Sequence, residues 1–215
     1  MPTPEVHAFV RAALPSSGRI LEIGAGAGDL AADLAGAGYD VVAIDPAGGP
    51  PHVRQLPLLE LDEPAGSFAA AVAVVSLHHV EPLRESLAHL AALLAPGAPL
   101  VVDEFDVGRL DARAAAWWIE QRRALGRERP HDGAATVAEL RDHLHTVRTI
   151  MRELAPWFTL GEPVRGAYLY RWDLEPDLRT PEEQLIAAGA IPATGARFIA
   201  TRGSRAPAAP PTPRG

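Results

Sequence analysis

The stretch Ile20-Leu-Glu-Ile-Gly-Ala-Gly-Ala-Gly-Asp29, followed by Val41-Val-Ala-Ile-Asp45, constrains this chain more than any other. Ile20, Leu21 and Ile23 predict a short buried parallel strand. Gly24-Ala-Gly-Ala-Gly28 predicts a turn tight enough for the backbone to run against a ligand, and Asp29 to Ala35 starts a helix whose first N–H groups face the same place. Gly36-Ala-Gly38 ends that helix. A second strand, Val41 to Ile44, delivers Asp45 at its carboxyl end, where open parallel sheets place ligands and an acid can accept both hydrogen bonds of a ribose diol. Together these features describe a site for an adenosine-bearing cofactor.

Two details narrow the cofactor. The dinucleotide fingerprint needs its third glycine where this chain has Asp29, because that glycine packs helix against strand beneath a pyrophosphate. Glu22 also places a carboxylate inside the strand before the turn, which suits a cationic or amine-bearing ligand better than a pyrophosphate. Acid-x-Gly-x-Gly-x-Gly with a second acid after strand two resembles the first motif of the class I S-adenosylmethionine-dependent methyltransferases. The resemblance implies S-adenosylmethionine as cofactor and S-adenosylhomocysteine as product. It implies that Glu22 orients the methionyl amine through the loop or a water, that Gly24, Ala25, Gly26 and Gly28 contact the methionyl and ribose parts, and that Asp45, with Pro46 beside it, holds the ribose.

The resemblance continues to about Glu104, with departures. Pro46-Ala-Gly-Gly-Pro-Pro51 cannot sustain the usual helix before strand three, so the second crossover is abbreviated. Leu56 to Leu61 is the expected third strand; an acid at Asp62 bonds the adenine amino group in the family, and the alternative is a solvated loop acid near Glu63. Ala69 to Val75 suits a strand covered on both faces, although Phe68-Ala69 stands where the family commonly has Phe-Asp. Ser76-Leu-His-His-Val80 resembles the fourth motif of small-molecule methyltransferases, which implies Ser76 and Leu77 beside the cofactor and His79 facing the site. A histidine there can take a proton from an acceptor hydroxyl. The alternative is a turn residue that positions the next helix, because methyl transfer often needs only proximity and alignment. Pro82 to Leu94 reads as an amphipathic helix with its leucines on one stripe, and Ala95-Pro-Gly97 breaks it before a fifth strand from Pro99 to Asp103.

From Phe105 onward the pattern thins. Asp111 can cap a helix ending before Gly126, and Thr136-Val-Ala-Glu139 is a capping box for a helix running to Leu154; together they predict a helical cap over 106–155. Phe105, Trp117, Trp118, His131 and Tyr168 are the candidates for the acceptor's surroundings, against the alternative that the aromatics close a core. Glu162 to Trp172 is the expected sixth strand, Thr180-Pro-Glu-Glu183 opens a helix, and Ala196 to Thr201 is the seventh strand, antiparallel by the resemblance. Asp103, Glu104 and Asp106 invite a metal site, but acids clustered after a strand are usually solvated or paired, and no metal is expected. The expectation is an α/β domain over 1–203, with a doubly wound seven-stranded sheet, mostly parallel with an antiparallel last strand, and a helical cap insertion. A Pro/Ala-rich tail over 204–215 is expected to be disordered.

Composition restricts partners. A net charge of −7 disfavours a nucleic-acid backbone. There is no cysteine, no signal-like start and no apolar run long enough to span a membrane, so the expected location is cytoplasmic and the expected partner a small-molecule acceptor, methylated on oxygen or nitrogen. Two other classes stay open: an S-adenosylmethionine-binding protein without methyl transfer, cyclase-like or partner-binding, and a nicotinamide-dependent oxidoreductase, against which Glu22 and Asp29 argue.

Overall fold

A computed structural model describes residues 3–127 and 134–204, with the side chains of residues 134–137 left out. Helix α1 (Pro4–Ala13) leads into β1 (Arg19–Ile23), α2 (Asp29–Gly36) and β2 (Asp40–Ile44). Then come β3 (Val53–Arg54), β4 (Ala70–Val74), α3 (Leu83–Leu93) and β5 (Pro99–Phe105). The second half holds α4 (Ala112–Ala124), α5 (Ala134–His143), α6 (Val147–Leu154), β6 (Phe158–Leu160), β7 (Val164–Gly166), α7 (Arg179–Ala187) and β8 (Gly195–Arg202).

The strand order is β3-β2-β1-β4-β5-β8-β6, with β7 also on β8. The first five strands are parallel, and β8 runs antiparallel to β5 and to both edge pieces. This is the expected mostly parallel sheet with seven positions, the outer one split. The split follows from Gly161-Glu-Pro163: Gly161 N still donates to Ile199 O at 2.8 Å, but Pro163 has no N–H for the ladder, and residue pairing resumes at Val164.

Alternate residues of the central strands face opposite layers, as a doubly wound sheet requires. Leu21, Ile23, Ala71 and Val102 pack with the leucines of α3 and with Ile150 and Leu154 of α6. Ile20, Val72 and Val101 pack with Val6 and Val10 of α1 and Leu30 and Leu34 of α2. The amino-terminal helix is therefore a packing element on the sheet. Among the described residues, no helix is long and apolar enough to cross a membrane.

Three expected elements differ. The third strand is the two-residue β3, and Leu58–Glu60 is instead a 3-10 turn whose Leu58, with Leu61, is buried in the α3 cluster. Its apolar run is satisfied by a helix rather than by strand neighbours. The expected sixth strand, Glu162 to Trp172, is β7 followed by a 3-10 turn at Leu169–Arg171. There the carboxylate of Glu182 accepts the consecutive N–H groups of Tyr168, Leu169 and Tyr170 at 2.8, 3.0 and 2.8 Å, which curls the backbone away from the ladder. The single helix expected from Thr136 to Leu154 is two, because Thr146 Oγ1 caps α6 by accepting from Thr149 N at 3.1 Å and Asp106 Oδ1 accepts from Val147 N at 3.2 Å. Helix α6 then lies against α3. The cap core is formed by Val107 and Leu110, Ala114 and Trp118 of α4, and Leu169, Leu174 and Ile191 from the far end of the chain. Residues 205–215, most of the expected tail, lie outside the described residues.

Candidate functional site

The carboxyl ends of β1, β2 and β4 converge on the glycine turn. Gly24 N and Ala25 N both donate to Ile44 O, at 2.8 and 3.0 Å, and Gly28 N donates to Ala25 O at 2.8 Å. Asp45 closes the turn from the other side: its Oδ2 accepts from Gly26 N and its Oδ1 from Ala47 N, both at 2.9 Å. These amide groups are committed inside the protein, which leaves them unavailable to cradle a pyrophosphate. The glycines differ in purpose. A Cβ at Gly24 would lie 2.4 Å from that of Ser76, whereas a Cβ at Gly26 would meet nothing within 4 Å. The first glycine makes room for the protein, and the second faces open space.

Two cavities flank this turn. The larger, about 510 Å³, is lined by Ile44, Asp45, Pro46, Leu56, Pro57, Leu58, Ser76 and His79 among others. The smaller, about 270 Å³, is lined by Glu22, Ala25, Gly26, Asp29, Tyr168 and Arg171 among others. Both share Gly24 and Val75. Val75 is β-branched and sits at φ 54°, a left-handed conformation that such residues rarely adopt; its N–H donates to Asp103 O at 2.7 Å.

Histidines 78 and 79 divide two tasks. His78 is buried, and its Nδ1 lies 2.5 Å from Glu104 Oε2. Glu104 is fully buried, and its Oε1 accepts from Ser76 N at 2.8 Å and Leu77 N at 2.6 Å, so this carboxylate builds the turn after β4. His79 lines the larger cavity; burial lowers its pKa from the usual imidazole value, and neighbouring His78 lowers it further, so the ring is neutral near pH 7. Asp103 of β5 pairs with Arg171 and Arg197, and Asp106 just after the strand pairs with Arg165 at 2.6 Å.

In the smaller cavity Glu22 is 4 % exposed and its Oε2 has no hydrogen-bond partner. Burial pushes its pKa up to about 8; a backbone hydrogen bond from Ala31 opposes this, and the Asp29 charge adds to it.

The structure brings together Glu22, Gly24, Ala25, Gly26, Asp45, Pro46, Ser76, His79 and Tyr168 on the walls of the two cavities. Others lie elsewhere. Gly28 caps α2 from outside both cavities, and Leu77 is buried in the α3 cluster with only its backbone in the turn. Asp62 is exposed and lines neither cavity, because the strand expected to deliver it is absent. Phe105 stands one layer back, stacked 4.9 Å from Tyr168, and Trp118 stacks 4.1 Å from Trp172 with its Nε1 donating to Trp172 O at 2.8 Å. Trp117 packs partly buried against the same cluster. These aromatics pack in the cap core and line neither of the two cavities. His131 lies outside the described residues. Glu182 and Arg171 carry no sequence assignment and Glu104 only that of a rejected metal ligand; a carboxylate separated by many residues from the turn it holds leaves no local signal.

The strand order, the glycine turn and the acid after β2 define a Rossmann-like fold of the cofactor-dependent methyltransferase class. Residues 4–150 match the family described as "Methyltransferase domain", and the chain belongs to that family. No curated protein matches it in sequence. Solved structures share the fold. An S-adenosylmethionine-dependent methyltransferase from Mesorhizobium loti is 19% identical with a TM-score of 0.58, over 93% of this chain and 98% of that one. The 1,6-didemethyltoxoflavin-N1-methyltransferase of Burkholderia thailandensis, solved with 1,6-didemethyltoxoflavin and S-adenosylhomocysteine, is 20% identical with a TM-score of 0.55, over 94% of this chain and 78% of that one. The cyclase SpnF is 14% identical with a TM-score of 0.57, over 93% and 80%. At these identities the likeness is one of fold.

Proposed function

We propose that this protein binds S-adenosylmethionine across the two cavities and transfers its methyl group to an oxygen or nitrogen of a small molecule. The observation that carries this reading is the pairing of unlike cavities about Gly24 and Val75: one is mainly apolar with Asp45 in its wall, the other is charged and holds the orphaned Glu22 Oε2. An adenosine suits the first, and an amino-acid arm bearing an ammonium suits the second. The cofactor, when bound, supplies an electrophilic methyl group on sulfonium. Ile44, Leu56, Pro57 and Leu58 offer flat apolar walls for adenine, replacing a contact from Asp62, while Asp45 and Pro46 meet the ribose. Gly26 gives the ligand room. His79, held neutral, receives the acceptor's proton.

The small-molecule class of acceptor follows from the turn after β4, Ser76-Leu-His-His79, and from the acidic net charge; with the absence of cysteine this fits a cytoplasmic enzyme. The engaged amides of the glycine turn disfavour a nicotinamide dinucleotide. Binding without transfer, as a cyclase-like catalyst, is the second reading, favoured by the fold likeness to SpnF. Incubation with S-adenosylmethionine and a panel of phenols, amines and heteroaromatic compounds, read by S-adenosylhomocysteine formation, tests the proposal. Acceptor-dependent product is expected. Tight cofactor binding with no product from any acceptor favours the second reading, and no cofactor binding removes both.

A further inference from the structure

The smaller cavity carries a cation that the glycine motif does not imply. Arg171 stands in its wall with Glu22, Asp29 and Tyr168. Its side chain is 9 % exposed, its Nη1 donates to Asp103 Oδ1 at 2.6 Å, and its guanidinium lies 5.1 Å from the centroid of the Tyr168 ring. Asp103 is shared: Arg197 Nε also donates to its Oδ2, at 2.5 Å. Two guanidiniums on one carboxylate leave a positive charge over. The backbone that carries Arg171 is fixed independently, since buried Glu182 ties the N–H groups of Tyr168, Leu169 and Tyr170. A guanidinium held this firmly has lost most of its rotamer freedom before any ligand arrives, and the Asp103 bond engages Nη1 alone among its several donors.

The same cavity contains the opposite charge. Glu22 Oε2 is buried without a partner, and Asp29 stands beside it. We infer that Arg171 binds the α-carboxylate of the cofactor's methionyl arm while Glu22 takes the α-ammonium, so that the smaller cavity recognises a zwitterionic amino acid at both its charged groups. The inference rests on the methyltransferase reading above. Asp29, one guanidinium and a Glu22 carboxyl that releases its proton to solvent as the ammonium arrives complement a sulfonium, an ammonium and a carboxylate in the ligand. Fork geometry lets arginine grip a carboxylate through paired N–H bonds, which a lysine cannot reproduce.

Calorimetric titration of the full chain with three probes tests this: S-adenosylhomocysteine; S-adenosyl-3-thiopropylamine, which keeps the amine and lacks the carboxylate; and 5′-methylthioadenosine, which lacks the arm. The wild type is expected to prefer S-adenosylhomocysteine over the decarboxylated ligand by about 10- to 100-fold, the range of a hydrogen bond to a charged group. Arg171→Met should abolish that preference and leave 5′-methylthioadenosine affinity unchanged, and Arg171→Lys should restore part of it. Retained binding of 5′-methylthioadenosine shows the Met variant to be folded. An undiminished preference in Arg171→Met overturns the inference while the cofactor reading stands, as does equal loss of all three ligands, which would mark Arg171 as a structural support only. If the wild type binds none of the three, both readings fall.

Discussion

Single residues at this site carry separable physical burdens. Gly26 has a positive φ of 51° and open space where a Cβ would stand, so Gly26→Ala should cost only about 1 kcal/mol of stability from backbone strain. Its effect on S-adenosylhomocysteine binding should be larger and Gly26→Val larger still; calorimetry showing unchanged affinity in the Val variant would remove the turn from the cofactor site. Glu22 makes a pH-dependent contribution whose sign is fixed by its raised pKa. Between the ordinary carboxyl range and about pH 8 the native carboxyl keeps a proton that the unfolded chain loses, so stability falls as pH rises, by at most ~1.4 kcal/mol per pH unit. Denaturant unfolding from pH 5 to 8 should show a steeper decline for the wild type than for Glu22→Gln. As the proposed base, His79 would act in the opposite sense on rate: a base must be unprotonated, so activity should fall on acidification through a pKa below the ordinary imidazole value. His79→Ala should lower kcat by about 100-fold or more, and full turnover would assign the ring to the turn instead.

At the scale of elements, two short 3-10 turns position the site, and a distant buried glutamate builds each. Glu104 of β5 holds the Leu77–His79 turn, and Glu182 of α7 holds the Leu169–Arg171 turn. Leaving several buried N–H groups unpaired costs more than losing one ordinary hydrogen bond. Glu182→Ala should therefore destabilise the protein by roughly 3 kcal/mol or more, with Glu182→Gln recovering part, as measured by chemical denaturation. An effect below about 1 kcal/mol would show that water replaces the carboxylate without loss. The sequence made the parallel strands and α3 legible, because their apolar runs and leucine stripe match buried positions. It misassigned Leu56 to Leu61 and Tyr168 to Trp172, where equally apolar patterns are satisfied by a helix face and by a carboxylate.

For the whole molecule, the cap and the sheet are joined through aromatic contacts that begin at the smaller cavity. Tyr168 in the cavity wall stacks on Phe105 of β5, Phe105 lies 5.3 Å from Trp172, and Trp172 stacks on Trp118 of α4. Trp118→Ala should leave a cavity in that core and lower global stability by about 3–5 kcal/mol. If Trp118 lined an acceptor pocket instead, the variant would keep its stability and change its acceptor profile. Thermal unfolding alongside a product assay distinguishes these results.

The sequence by itself determined the unit that defines the family: strand, glycine turn, helix and acid are adjacent in the chain, and their conformations follow from local backbone chemistry. The resemblance, through its motif register, implied that His79 rather than its neighbour faces the site; in the fold His79 lines the larger cavity while His78 turns to Glu104. Only the tertiary structure decided what completes the site. Arg171 reaches the glycine turn through a hairpin of contacts with Asp103 and Glu182, from parts of the chain far apart in sequence, and pairing by charge across such separations has no period to read. The packing of the tryptophans in the cap core was likewise settled by the tertiary structure, because what covers an aromatic face depends on which helix folds over it.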